Sequence, residues 1–193
     1  MLIQTHRFTL KWFILAASLF CGPTTALSQP LDGVGKLKFG MTPEAVEALT
    51  GCSSSSECLY ELLGKNRYFT LSYDVPFPSD TTTPTPGIST SSMLQIIDVD
   101  MGNYTGEWFM ELFEVLQSQY ALVHSPTDQE DALFQQGQQS ELTIGFADGH
   151  VLLKIVRRKF GNLILRVIFQ DATSATHIRQ SWALSPSSSL PGS

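Results

Sequence analysis

The sequence predicts an α+β fold, with two helices packed on one face of an antiparallel sheet of about five or six strands, a layout compatible with two related helix-sheet halves. Three observations carry this. Two segments, 42–51 and 105–120, open on a threonine and continue at helical spacing. Segments 67–74, 93–101, 142–146, 151–157 and 163–170 carry strand patterning. The last three are joined by Asp148-Gly149 and Phe160-Gly161-Asn162, turn sequences too short for anything but antiparallel neighbours.

The chain opens with His6, Arg7 and Lys11, then an apolar run from Trp12 to Phe20 and small residues up to Ser28. That is the layout of a secretory signal peptide over residues 1–28, its apolar run too short to span a bilayer. Cys21 follows Leu19-Phe20, a poor context for lipid attachment, so ordinary cleavage near Ser28 and a periplasmic or secreted product are expected.

Leu37-Lys38-Phe39 precedes Gly40 and Met41. Thr42 is a suitable N-cap, Pro43 occupies the first helical position, and Glu44 faces the positive end of the helix dipole. Met41 and Val46 are placed as a staple; Ala45, Val46 and Leu49 form the expected buried face, and Gly51 the stop. Leu59 to Leu63 reads as a further helical turn. Val75 to Ser92, with four prolines, reads as a long exposed loop. Thr105 caps the longer helix, stapled by Tyr104 and Phe109, with Phe109, Leu112, Phe113, Leu116 and Tyr120 as its apolar stripe. Ser125 to Asp131 reads as a polar connection. Segment 163–170 is apolar on both sides, which places it centrally in the sheet. The resulting organisation is a single domain over 29–182, with candidate halves 36–101 and 102–171 and the loop 75–92, followed by a disordered tail over 183–193.

Of three cysteines, Cys52 and Cys58 lie beyond the leader. In an oxidising compartment they are most simply a disulfide, and the ring is serine-rich rather than a Cys-x-x-Cys redox motif. The hydrophobic fraction of 42% permits a buried core. Formal charge is −6, and loss of Arg7 and Lys11 with the leader makes it −8. Few cations argue against nucleic acid or an anionic membrane as partner.

The stretch Leu37-Lys38-Phe39-Gly40-Met41-Thr42-Pro43-Glu44-Ala45-Val46-Glu47-Ala48-Leu49-Thr50-Gly51 resembles the Gly-Met-Thr helix opening of exported domains related to the barrel-assembly lipoprotein BamE (SmpA/OmlA). It is similar also to the repeat opening of secreted β-lactamase inhibitor proteins. The resemblance implies a helix packed on an antiparallel sheet and a role in protein–protein contact. The missing lipid-attachment cysteine and the long loop depart from the barrel-assembly pattern.

No nucleophile elbow, zinc-protease motif or phosphate loop occurs, and the serine run 53–56 has no histidine nearby. His124, His150 and His177 stand apart, without metal-ligand spacing. Asp98 and Asp100 share one strand face, as a candidate cation-binding or acid–base pair without a third ligand, or as solvated sheet positions. Asn103-Tyr104-Thr105 matches a glycosylation sequon. The concentrated charge feature is Lys154, Arg157, Arg158, Lys159 and Arg166, five of the ten cations beyond the leader. Two readings stand: a surface for an acidic partner, or cations that balance local acids and guard a strand edge.

The class expected is an exported, non-enzymatic protein-binding domain of inhibitor, immunity or assembly type, acting through its sheet face or loops. Its partner is another protein, with no nucleic acid, transmembrane segment or cofactor. The alternative is a periplasmic hydrolase or small-ligand carrier, with a pocket between the second helix and the sheet lined by Trp108, Phe109 and Phe113.

Overall fold

A computed structural model describes residues 31–52, 58–62, 65–74 and 92–184. The expected signal peptide over 1–28, the serine run 53–56, residues 75–91 of the expected loop and residues 185–193 of the expected tail lie outside the described residues.

Gly33–Val34 (β1) and Leu37–Lys38 (β2) form a small two-stranded sheet. Pro43–Thr50 (α1) follows, with the Thr42 hydroxyl accepting from the Ala45 N–H at 3.3 Å and Gly51 closing the helix at φ 72°. Main-chain bonds from Gly40 N to Leu94 O and from Leu94 N to Met41 O, at 2.9 and 2.8 Å, tie the segment before α1 to the main sheet. Of the expected α1 face only Val46 is buried; Ala45 and Leu49 are exposed. A two-turn helix pinned at its first residues presents a single apolar position to the sheet.

The main sheet is antiparallel throughout, in the order β3-β4-β5-β9-β8-β7-β6. Its strands are Cys58–Leu62 (β3), Lys65–Asp74 (β4), Met93–Asn103 (β5), Leu122–His124 (β6), Glu141–Phe146 (β7), Val151–Arg157 (β8) and Leu163–Gln170 (β9). The helical turn expected over 59–63 is therefore strand β3. Its five residues pair with β4 from Cys58–Phe69 to Leu62–Lys65, and long-range ladder bonds override an ambiguous local pattern. Strand β9 is central, as its two apolar sides require.

The first face of the sheet holds the core. Phe69, Ile97, Val99, Leu153, Leu165, Val167 and Phe169 interleave there and are almost fully buried. Gly106–Gln119 (α2) lies against them through Leu112 and Leu116, each contributing about 1.5–3 kcal/mol by leaving water. Phe109, Phe113 and Phe146 make successive ring contacts at 6.0 and 5.8 Å. A bulge fixes the start of α2. The β5–β9 register shifts between Asp100 and Gly102, and the Met101 carbonyl accepts from Trp108 Nε1 at 3.1 Å and Arg67 Nη1 at 3.2 Å. Gly102 turns at φ 92°, with its N–H donating to Asp100 Oδ1 at 2.7 Å.

Two further helices correct the predicted arrangement of two helices on one face. Asp128–Gln135 (α3) replaces part of the expected polar connection and stands beside β7. Ala172–Leu184 (α4) starts after Asp171, whose Oδ1 accepts the Ser174 N–H at 2.8 Å, and spans domain positions without an expected element, with its last two residues in the expected tail. Helix α4 lies on the second face: Trp182 occupies the space where a Gly145 side chain would project, and Ile178 Cγ2 comes within 3.0 Å of a Cβ built on Gly149. Leu152, Ile164 and Ile168 make that face apolar over β8 and β9, so part of it requires cover. Among the described residues the fold is thus four α-helices with a seven-stranded antiparallel sheet and a separate two-stranded one. Nor are the expected halves matching units, since β6 and α3 lie between α2 and β7 without counterparts between α1 and β3 among the described residues.

Candidate functional site

Away from α4, the second face presents polar rows. The register sets Thr70 beside Asp98 beside Ile168, and Tyr68 beside Asp100 beside Arg166 beside Lys154. Arg166 reaches Asp98 at 2.7 Å, and Arg158, from the β8–β9 turn, reaches Asp100 at 3.0 Å. Lys154 pairs with Glu141 at 2.8 Å. Thr70, Asp98, Asp100, Arg158 and Arg166 line a groove of about 880 Å³ together with Tyr68, Arg157, Ile164 and the turn residues Lys159 and Phe160, whereas Lys154 and Glu141 lie outside it. Tyr68 is 57% exposed and Phe160 94%, an unusual position for a large apolar ring.

Burial pushes the Asp98 carboxyl above the ordinary carboxylate range, against the opposing pull of Arg166 and Lys154. The cost of desolvating the aspartate therefore exceeds what the short ion pair returns. Asp98 Oδ1 and Arg166 Nε are both buried without a hydrogen-bond partner. The pair sets the geometry of the groove floor and adds little to stability.

The predicted basic cluster is only partly brought together. Lys154 and Arg166 share the second face, and Arg158 and Lys159 sit at its margin on the turn. Arg157 has the opposite parity: it donates to the Phe134 carbonyl at 2.9 Å and lies 4.8 Å from that ring. Among the described residues, Lys159 makes no ion pair. The aromatic members, Tyr68 and Phe160, are the part sequence reasoning missed. Phe160, set between Lys159 and Gly161 in a turn, is the available signal, since a turn gives such a ring nothing to pack on.

Cys52 and Cys58 form a disulfide with Cα atoms 5.7 Å apart, joining the exit of α1 to the start of β3. Trp108, Phe109 and Phe113 pack against the core, and the groove is not lined by them. His150 Nδ1 donates to the Gln170 carbonyl at 3.0 Å, a strand-end contact, and His177 is exposed on α4. His124 lies flat on Trp182, with centroids 4.3 Å apart. Thr105 of the sequon is the N-cap of α2, accepting the Trp108 N–H at 3.1 Å. Among the described residues, no three His, Cys, Asp or Glu side chains are grouped to hold a metal ion, and no helix is long and apolar enough to cross a membrane.

No family model, curated protein or solved structure matches this chain.

Proposed function

We propose that this chain is an exported, non-enzymatic protein-binding domain of inhibitor, immunity or assembly type, which engages its partner through the groove over β4, β5 and β9 and the β8–β9 turn. One observation carries the reading: two exposed aromatic rings, Tyr68 and Phe160, flank a floor of ion pairs on a part of the sheet face that no described helix covers. Aromatic and arginine side chains in a shallow concavity are the usual anchors of protein recognition. The leader-like N-terminus and the Cys52–Cys58 disulfide support export. The helix-opening likeness to BamE-type and β-lactamase-inhibitor domains supports a contact role.

The test is site-specific photo-crosslinking in the producing cell. A crosslinker at Phe160 or Tyr68 is expected to give one adduct of defined mass, lost on Arg158→Glu, while one at Glu111 on α2 gives none. Adducts that are equal at all three positions, or missing at all three while the purified protein turns over a substrate, overturn the reading.

A further inference from the structure

At the other end of the second face, a smaller, partly open cavity of about 190 Å³ lies between α4, α3 and strands β6 to β8, with His124, Glu130, Glu141, Thr143, Lys154 and Trp182 in its lining. We propose that this cavity is a second binding site, for a small zwitterion of the free amino acid class. Its volume equals about six waters at roughly 30 Å³ each, which fits a single small amino acid and not a peptide.

The chemistry follows from the charged and polar groups that the lining presents. The Lys154 ammonium has three donors and is 16% exposed; Glu141 Oε1 accepts one, and the described residues offer no second acceptor. Two donors on a largely buried cation suit a carboxylate. Glu130 commits Oε2 to the Thr127 N–H and hydroxyl, at 2.7 and 2.9 Å, while Oε1 accepts from no described residue. That oxygen suits an ammonium group. His124, held flat between Trp182 and the cavity, adds a ring nitrogen that no described residue engages; burial lowers its pKa, with Glu130 opposing the shift. A ligand displacing the waters of so polar a space must replace their hydrogen bonds at both ends, which an acid or an amine alone does not do.

The test is an NMR titration of the chain without its leader, reading the Trp182 indole N–H and His124 ring signals. Glycine, L-alanine and L-serine are the probes, with acetate, ethylamine and glucose as controls. We expect saturable shifts with the amino acids, at least tenfold weaker responses with each control, and at least tenfold weaker amino acid binding in Glu130→Gln. That variant keeps the acceptor for Thr127 and so tests the charge without removing the α3 cap; Lys154→Met, checked for folding by circular dichroism, should lose binding as well. No saturable shift in the unaltered chain, an equal response to the controls, or unchanged affinity in Glu130→Gln overturns the proposal. Phe160→Ala should leave the titration unchanged, which separates this site from the groove.

Discussion

Over β7 and β8 the second face of the sheet carries Gly145 and Leu152 under the cover of α4, whereas over β4 and β5 it carries Tyr68, Thr70, Asp98 and Asp100, where no described helix seals it. The backbone ladder is the same kind on both sides. What differs is side-chain size and charge. A glycine opposite a tryptophan makes room for a helix, and a row of carboxylates answered by arginines keeps its contact with water. One end of the face is therefore packed under a helix, and the other keeps its charged rows and aromatic rings in contact with water.

The sharpest way to break this contrast is at Gly145. A side chain there would enter the space of the Trp182 indole, so Gly145→Val should overpack the junction and cost about 1–3 kcal/mol. Urea denaturation measures the loss, and hydrogen exchange should show it concentrated over 172–184. Unchanged protection of α4 would show that Trp182 does not seal this end.

Next in size is the floor of the open end. Asp98→Ala leaves Arg166, 31% exposed, without its carboxylate, and should cost about 1–2 kcal/mol, less than for a fully buried pair because water still reaches the guanidinium. Asp98→Asn with Arg166→Met should recover most of that loss if the pair contributes little net energy. A double-mutant cycle by thermal denaturation decides it.

The two ends should also respond to pH with opposite signs. Burial lowers the His124 pKa from 6.5, although Glu130 opposes the shift. Between the folded value and 6.5 the unfolded chain binds more protons, so stability rises with pH there and is lost on acidification. At Asp98 burial raises the pKa above 3.8, the folded chain binds more protons just above that value, and stability falls as pH rises through the folded pKa. His124→Phe, which keeps a ring on Trp182, should flatten the first slope, and Asp98→Asn the second. Melting temperatures across both windows check this.

Much of the scaffold was legible because its signals are local. Thr42 and Thr105 are N-caps, Gly51 is a left-handed C-cap, and 163–170 is the central strand. What escaped was decided by distant partners. Strand β3 is defined by its ladder with β4, and α4 is weakly amphipathic, its position set by Gly145 and Gly149 from other parts of the chain. Helix α3 is different: Thr127-Asp128-Gln129-Glu130 is a capping box, formed with both reciprocal bonds, and was readable. At the site, the charges were visible as a run, but strand parity sends Arg157 away from Arg166, and only the register pairs the cations with Asp98, Asp100 and Glu141.

The smallest expected effect on stability is the most informative about the open end. Phe160 is 94% exposed at the β8–β9 turn and buries almost nothing in the free chain, so Phe160→Ala should change stability by no more than about 0.5 kcal/mol. Once a partner is in hand, the same substitution should raise its dissociation constant by tenfold or more, as loss of an aromatic anchor does. A large stability loss would mean that the ring packs against the chain itself. Unchanged stability with unchanged binding would move recognition away from the turn and onto the Tyr68 side of the groove, where Tyr68→Ala poses the same question.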